Sequence, residues 1–159
     1  MVLSVTETLQ EELNGHGVMT RHELMAELPL VNGHEAQLKE VVFNLINNAV
    51  EAMVSTTNQN RMLWLRTEVC GRDEVMVSVE DSGPGIDPRQ LDKVFNAFVS
   101  TKAHGTGLGL AICRMIVEGH GGRLTASSHG KSGALCQFVL PVGSTDTAVG
   151  SPYTKPAND

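Results

Sequence analysis

Aromatic side chains are scarce, at 4% of 159 residues, with a single Trp64 and a single Tyr153. Cysteine is rare too: Cys70, Cys113 and Cys136 are the 3 thiols, and none sits in a CxxC pair. An odd, scattered set excludes a disulfide framework and a zinc knuckle, and it suits a reducing compartment. Basic residues are outnumbered, 12 Lys and Arg against 18 Asp and Glu, for a net charge of -6. That balance argues against a general nucleic-acid surface. It leaves room for an anionic ligand, because phosphate sites are built locally from backbone N–H groups and one or two cations. No apolar run approaches the roughly 18 residues needed to cross a bilayer. No signal-peptide pattern opens the chain. The expectation is a cytoplasmic domain, with any membrane anchor lying outside this chain.

The length suffices for one domain with a real core. Residues 3–13 (Leu3, Val5, Leu9, Leu13) have loose helical spacing, closed by Asn14-Gly15. Val18 to Leu24 reads as a strand, Leu28 to Val31 as a short extended piece, and Asn32-Gly33 as a turn. Residues 34–53 are a strong helix, with Leu38, Val41, Val42, Leu45, Ala49 and Met53 forming a broad apolar stripe. After a polar linker, Arg61 to Val69 and Glu74 to Glu80 read as two strands of a hairpin around Gly71-Arg72-Asp73. Asp87-Pro88 starts a short helix to about Phe95, and residues 96–106 form a mobile loop. Residues 107–118 form a helix stopped by Gly119 to Gly122, and Leu124 to Ser128 and Leu135 to Leu140 are the last strands.

There is no internal repeat. Five strands and three main helices, with hairpins at both ends of the sheet, predict an α+β fold. It is a two-layer α/β sandwich, a mixed five-stranded sheet packed against three helices. The domain spans 1–142, and 143–159, rich in Ser, Thr, Pro, Asp and Gly, reads as a disordered tail.

Three segments carry chemistry. On the long helix, Asn44, Asn48 and Glu51 follow i, i+4, i+7 spacing and share one face at the border of the apolar stripe. Asparagine costs a helix on the order of 0.5 kcal/mol against alanine, so Asn44, Asn47 and Asn48 together are a local expense. Solvated or core-edge asparagines are the plain reading. The functional one is a neutral carbonyl oxygen for Mg²⁺ that keeps several waters and phosphate oxygens.

The second segment, Asp81-Ser82-Gly83-Pro84-Gly85-Ile86, follows directly on the alternating strand Val75, Val77, Val79. The plain reading is a turn with a solvated Asp. In the functional one, Asp81 accepts from the 6-amino group of adenine. Guanine presents a 6-oxo acceptor there, and leaving buried acceptors unpaired costs on the order of 1–3 kcal/mol. Gly83 and Gly85 would let the backbone approach the base.

The third, Gly105-Thr106-Gly107-Leu108-Gly109-Leu110, runs into a helix. Glycines expose N–H groups to phosphates, and the helix N-terminus adds a favourable dipole. The spacing is GxGxG after a segment that is not strand-like, so the dinucleotide fingerprint fails. A Walker loop fails also, because Thr125 stands where the glycine leading to Gly130-Lys131-Ser132 belongs.

In this order and spacing the segments resemble the Bergerat ATP-binding fold of DNA gyrase B subunits, heat-shock chaperones, mismatch-repair proteins and histidine kinases. The helix looks like the N box, Asp81 to Gly85 like the G1 box, and Gly105 to Gly109 like the G2 box. Val94 to Lys102 is similar to the F box of histidine kinases, and Gly133 to Pro141 to the closing G3 strand. The resemblance covers residues 3–141 and is nearest to nitrogen- and oxygen-sensing kinases.

It implies ATP and Mg²⁺ as ligands. Asn48 would ligate the metal, and Asn44 would bond near the phosphates. Asp81 would hold the adenine amino group, with Gly83, Gly85 and Ile86 shaping the base pocket. Gly105, Gly107 and Gly109 would hinge a lid, presenting N–H groups together with Thr106, Leu108 and Leu110. Lys102 would approach the outer phosphates, and Phe95 and Phe98 would anchor the lid. Asn44 and Lys102 are the implied catalytic pair. Two positions depart from the pattern: Glu51 stands where many members carry lysine, and Ala134 where threonine is common.

Gyrase-type members use a glutamate as general base at the position of Asn44, which cannot take a proton. The resemblance therefore implies phosphoryl transfer to a histidine on a separate dimerisation domain of the same full-length kinase, and through it to a response regulator. The fragment would be monomeric, and it would form the cytoplasmic part of the sensor should the full protein be membrane-bound. An ATPase of the gyrase class and a non-catalytic or anti-sigma-type nucleotide-binding regulator are the alternatives. Arg21-His22-Glu23-Leu24 imitates the start of an acceptor motif, HExxxP, but Pro29 stands two residues too late, and the segment lies on a predicted strand. His16, His34, His104, His120 and His129 have no metal spacing and read as surface or loop histidines.

Overall fold

The computed structural model describes residues 1–57, 60–97, 107–128 and 133–143. The elements run α1 (Val2–Thr8), α2 (Gln10–Gly15), β1 (Val18–Leu24), α3 (Glu35–Val54), β2 (Arg61–Cys70), β3 (Glu74–Asp81), α4 (Gly109–Gly119), β4 (Arg123–Ser128) and β5 (Ala134–Pro141). The five strands form one sheet in the order β1-β2-β3-β5-β4. β1 lies parallel to β2, while β2–β3, β3–β5 and β5–β4 are antiparallel. The mixed sheet is as expected. Its hairpins are not at both ends: β2–β3 is internal, and β1 holds that edge instead. The crossover through α3 allows this, since a parallel pair needs a long connection.

The core is built from two periodicities. On α3 the stripe from Leu38 to Met53 is buried as predicted, and Ile46 and Val50 widen it. On the sheet, alternate residues supply the opposing layer: Leu63, Leu65, Val77, Val79 and Phe138 are all buried in one cluster. Register sets them side by side, with Leu65 opposite Val79 and Val77 opposite Phe138. Each such side chain contributes about 1.5–3 kcal/mol on burial. Asp81 continues the inward parity of Val75, Val77 and Val79, so the alternation itself drives a carboxylate into the core edge.

Three expectations need correction. The first helical stretch is two helices, turning at Leu9 (φ -90, ψ 0) while the N–H to carbonyl bonds continue through it. Its buried phase is Val2, Val5, Thr6, Leu9 and Leu13, and Leu3 faces solvent at 51% exposure. Thr6 is tolerated inside because its hydroxyl donates to the Val2 carbonyl at 3.0 Å. Asp87 to Phe95 is a series of turns, with i+3 bonds such as Gln90 to Asp87 and Lys93 to Gln90. Asp87 spends its carboxylate on the Arg89 backbone and guanidinium, and only Phe95 in the segment packs on the core. The residues of the predicted loop from 98 to 106, and of the predicted tail from 144 onward, lie outside the described residues. No helix among the described residues is long and apolar enough to cross a membrane.

Candidate functional site

α3 and α4 run antiparallel, and this brings two of the three segments together. A Cβ placed on Gly109, the first residue of α4, would lie 3.9 Å from both Asn44 Oδ1 and Asn48 Nδ2. One turn further along, the Cys113 thiol meets the Val41 carbonyl at 3.8 Å. At the far end, His120 reaches His34. The glycines at the start of α4 therefore open onto the asparagine face of α3. α4 begins at N-cap Leu108 without a side-chain cap, after Gly107 at φ 68. Such a terminus favours an anion.

The third segment meets this pair through β3. Asp81 is buried at 5% exposure. The Gly83 N–H donates to Asp81 Oδ1 at 2.7 Å, which fixes the carboxylate rotamer. A Cβ on Gly83 would fall 2.7 Å from that same oxygen and 3.5 Å from the Ala52 Cβ, so only glycine fits between Asp81 and α3. Gly85 has φ 78, a left-handed conformation that glycine adopts at no steric cost. Ile86 is half-buried, and its N–H donates to Ser128 Oγ at 3.0 Å.

Ser82 continues the hairpin ladder beyond Asp81. Its N–H donates to the Met62 carbonyl at 3.1 Å, while its hydroxyl accepts from the Met62 N–H at 2.9 Å and donates to the Asn60 carbonyl at 3.0 Å.

Thiols line the floor of the site. The Cys136 thiol is pushed up to about 12 by burial and by the negative charge of Asp81. Cys113, fully buried beside Asn44, is likewise pushed up to about 12, chiefly by burial. Both are neutral thiols at physiological pH, inert as nucleophiles.

Asn44, Asn48, Asp81, Gly83, Gly85, Ile86, Gly107, Leu108, Gly109 and Leu110 all lie in the described residues. Of these, Asn44, Asn48 and Gly109 meet directly, and Asp81 and Gly83 abut α3 at Ala52. Leu110 is half-buried against the core. Lys102, Gly105, Thr106 and Phe98 lie outside the described residues. Phe95 packs against the core. Two contributors were missed. Ser128 ties the loop after Asp81 to β5, and Gly133 packs so closely that a Cβ there would sit 1.8 Å from the Asp81 carbonyl oxygen. No local signal marks Ser128, because its partner Ile86 is 42 residues away. The Gly133 close approach at φ +103 could have been suspected from the glycine opening a strand.

The donor set suits a hard cation. Two neutral amides one turn apart, Asn44 by its Oδ1 and Asn48 by its Nδ2, face the glycine-bearing helix start; an asparagine carbonyl oxygen is a fit donor for Mg²⁺, which takes one or two protein oxygens and fills its shell with water and phosphate. A cavity of about 610 Å³ lies elsewhere, at the His34–His120 end of the helix pair, lined by Asn32, Gln37, Met115 and Gly119 among others. The chemistry-bearing groups are all at the opposite end.

Residues 33–144 match the family described as histidine kinase-, DNA gyrase B-, and HSP90-like ATPase. The chain belongs to this family. The sensor protein TdiS of Thauera aromatica is 34% identical over 135 residues, covering 84% of this chain and 25% of that protein. The chain thus spans about a quarter of the length of that curated relative. The nucleotide-free catalytic domain of histidine kinase ThkA superposes with a TM-score of 0.77 at 32% identity, covering 89% of this chain and 91% of that one. Full-length ShkA in complex with AMPPNP gives 0.78 at 27% identity, over 88% of this chain and 29% of that one. Within the family, then, the fold is that of a histidine kinase catalytic domain. The α+β architecture, the strand content and the family resemblance read from the motifs agree with this.

Proposed function

We propose that this domain binds Mg-ATP and donates the γ-phosphoryl group to a histidine on a separate dimerisation domain of a larger sensor kinase, cytoplasmic in location, feeding a response regulator. The observation that carries this reading is the approach of Gly109 to Asn44 and Asn48, with Asp81 buried at the neighbouring strand end.

Asp81 takes the adenine end. Its carboxylate accepts from the 6-amino group, held in place by the Gly83 N–H, while Gly85 and Ile86 contribute backbone to the base pocket. Asn48 supplies an oxygen to Mg²⁺, and Asn44 bonds near the phosphates. A cation held by Asn48 would supply neutralisation of phosphate charge. The N–H groups of Gly107, Leu108, Gly109 and Leu110 receive phosphate oxygens at the start of α4. Gly105, Thr106 and Lys102, which lie outside the described residues, would by the family resemblance belong to a lid, with Lys102 toward the outer phosphates.

Asn44 offers no proton acceptor for water, since an amide does not ionise in this range. Transfer to an external imidazole nitrogen, releasing ADP, is therefore favoured over hydrolysis. His22 is exposed on β1, paired opposite Leu65, and in this reading the acceptor role goes to a histidine of the dimerisation domain instead.

A thermal-shift series with ATP, GTP and ADP, each with and without Mg²⁺, tests the ligand, because binding to the native state raises the melting temperature. ATP with Mg²⁺ should give the largest rise and GTP none. Equal responses to ATP and GTP would end the reading. Mixing the domain with a histidine-bearing dimerisation domain should then yield phosphohistidine, whereas steady phosphate release by the domain alone would favour a hydrolase.

A further inference from the structure

Two loops separated by 42 residues meet at one hydroxyl. Ser128, the last residue of β4, accepts from the Ile86 N–H at 3.0 Å and donates to the Gly133 carbonyl at 2.8 Å. Ile86 ends the loop that begins at Asp81. Gly133 opens onto β5, and its backbone is pressed against the Asp81 carbonyl, where a Cβ would sit at 1.8 Å. The four positions close a ring: Asp81 touches Gly133, Gly133 bonds Ser128, Ser128 bonds Ile86, and the chain returns from Ile86 to Asp81.

Without the hydroxyl, the segment from Pro84 to Ile86 has a left-handed Gly85 in its middle and few ties to the sheet. Its described backbone bonds to other elements end at Ser82. The carboxylate of Asp81 is fixed on one side by Gly83. The opposite side of the same loop is fixed by Ser128.

We propose that Ser128 is a positioning residue for base recognition. Its hydroxyl sets the distance between the Asp81 carboxylate and the Gly85–Ile86 backbone, and hence how strictly the site selects adenine over guanine. The proposal rests on the reading of Asp81 as the base reader. A plain hairpin-closing serine would bond Gly133 only. The second bond, to the loop that carries the base reader, is what distinguishes this one.

The test uses the domain as it stands, with three readouts on wild type, Ser128→Ala and Ser128→Thr. Amide hydrogen exchange at Ile86, without nucleotide, reports the tie itself: slow in the wild type, faster in Ser128→Ala and slow again in Ser128→Thr. ATP affinity should fall about ten-fold in Ser128→Ala, with the ATP-to-GTP preference falling too, and Ser128→Thr should restore both. Melting temperature reports general damage.

Fast Ile86 exchange in the wild type overturns the proposal, whatever the variants do. So does a folded Ser128→Ala that keeps wild-type affinity and preference. Should Ser128→Ala not fold, Ser128→Thr and Ser128→Cys decide: a Cys variant that folds, loses Ile86 protection and still discriminates fully overturns it. A wild type that binds no ATP removes the parent reading along with this one. A wild type that binds, with the variants unaffected, removes this one alone.

Discussion

The two ends of the α3–α4 pair are built on opposite plans. At the His34–His120 end both ring nitrogens of His120 are bonded within the protein. His120 Nδ1 bonds the Ile116 carbonyl at 2.7 Å, its Nε2 accepts from the His34 N–H at 3.0 Å, and the two rings meet edge-on at 6.1 Å. With Nε2 accepting, Nδ1 is the nitrogen that donates to the Ile116 carbonyl. Gly33 packs on the same ring, where a Cβ would come within 2.6 Å. At the Asn44–Asn48 end the two amides face Gly109, where a Cβ would lie 3.9 Å from Asn44 Oδ1 and Asn48 Nδ2. The contrast is between a histidine whose ring bonds are made within the protein and a pair of amides that face a glycine.

Asp81→Asn should break the contrast most strongly. The amide keeps an oxygen for the Gly83 N–H, so folding should hold. It loses the charged acceptor for the base, a change worth about 1–3 kcal/mol. The melting temperature without nucleotide should stay near wild type and the ATP-induced rise should vanish; an intact rise would remove Asp81 from base reading.

His120→Ala should do the reverse. Losing two hydrogen bonds at about 1 kcal/mol each should lower stability by roughly 2 kcal/mol in denaturant titration. The ATP-to-GTP preference of the folded fraction should be unaltered. A changed preference would mean that the two ends are coupled.

Asn48→Ala should be milder still. Binding of ATP without Mg²⁺ should persist, and the increment that Mg²⁺ adds should disappear. If the increment survives in full, Asn48 is not the ligand.

The smallest effect concerns Cys113, whose thiol is raised from 9.0 to about 12 in the fold. Below pH 9 the thiol is protonated folded or unfolded, and nothing changes. Above it the unfolded chain ionises first, so stability falls as pH rises from 9.0 toward about 12. Over the first pH unit the loss is at most about 1 kcal/mol. A Cys113→Ser variant, compared across that window, should lack this part of the decline.

How much could be read beforehand depended on how local the cause was. The stripe of α3 and the alternation of β3 are periodic within one element, so Leu38 to Met53 and Val75 to Asp81 were legible. The glycines beside Asp81 and before α4 were legible because they sit next to the residues they serve. The short helix after Asp87 was misread because its Asp-Pro start signal lacks an apolar stripe to stabilise what it begins. The placement of the hairpins was misread because strand order is decided by pairing between distant segments. Leu3 was misread by one position, since Val2 and Thr6 complete the same spacing. Ser128 and His120 act through bonds across 42 and 86 residues, and a single sequence carries no trace of these. His120, read as a surface or loop histidine, is the half-buried C-cap of α4.

β5 comes last in the chain yet lies inside the sheet, between β3 and β4. A nascent chain leaving the ribosome carries Asn44 and Asp81 long before Gly133 arrives to close against Asp81. Until that strand threads between its neighbours, the Asp81 end of β3 lacks a wall. A truncation before Gly133 therefore leaves Asp81 without the backbone that closes against its carbonyl.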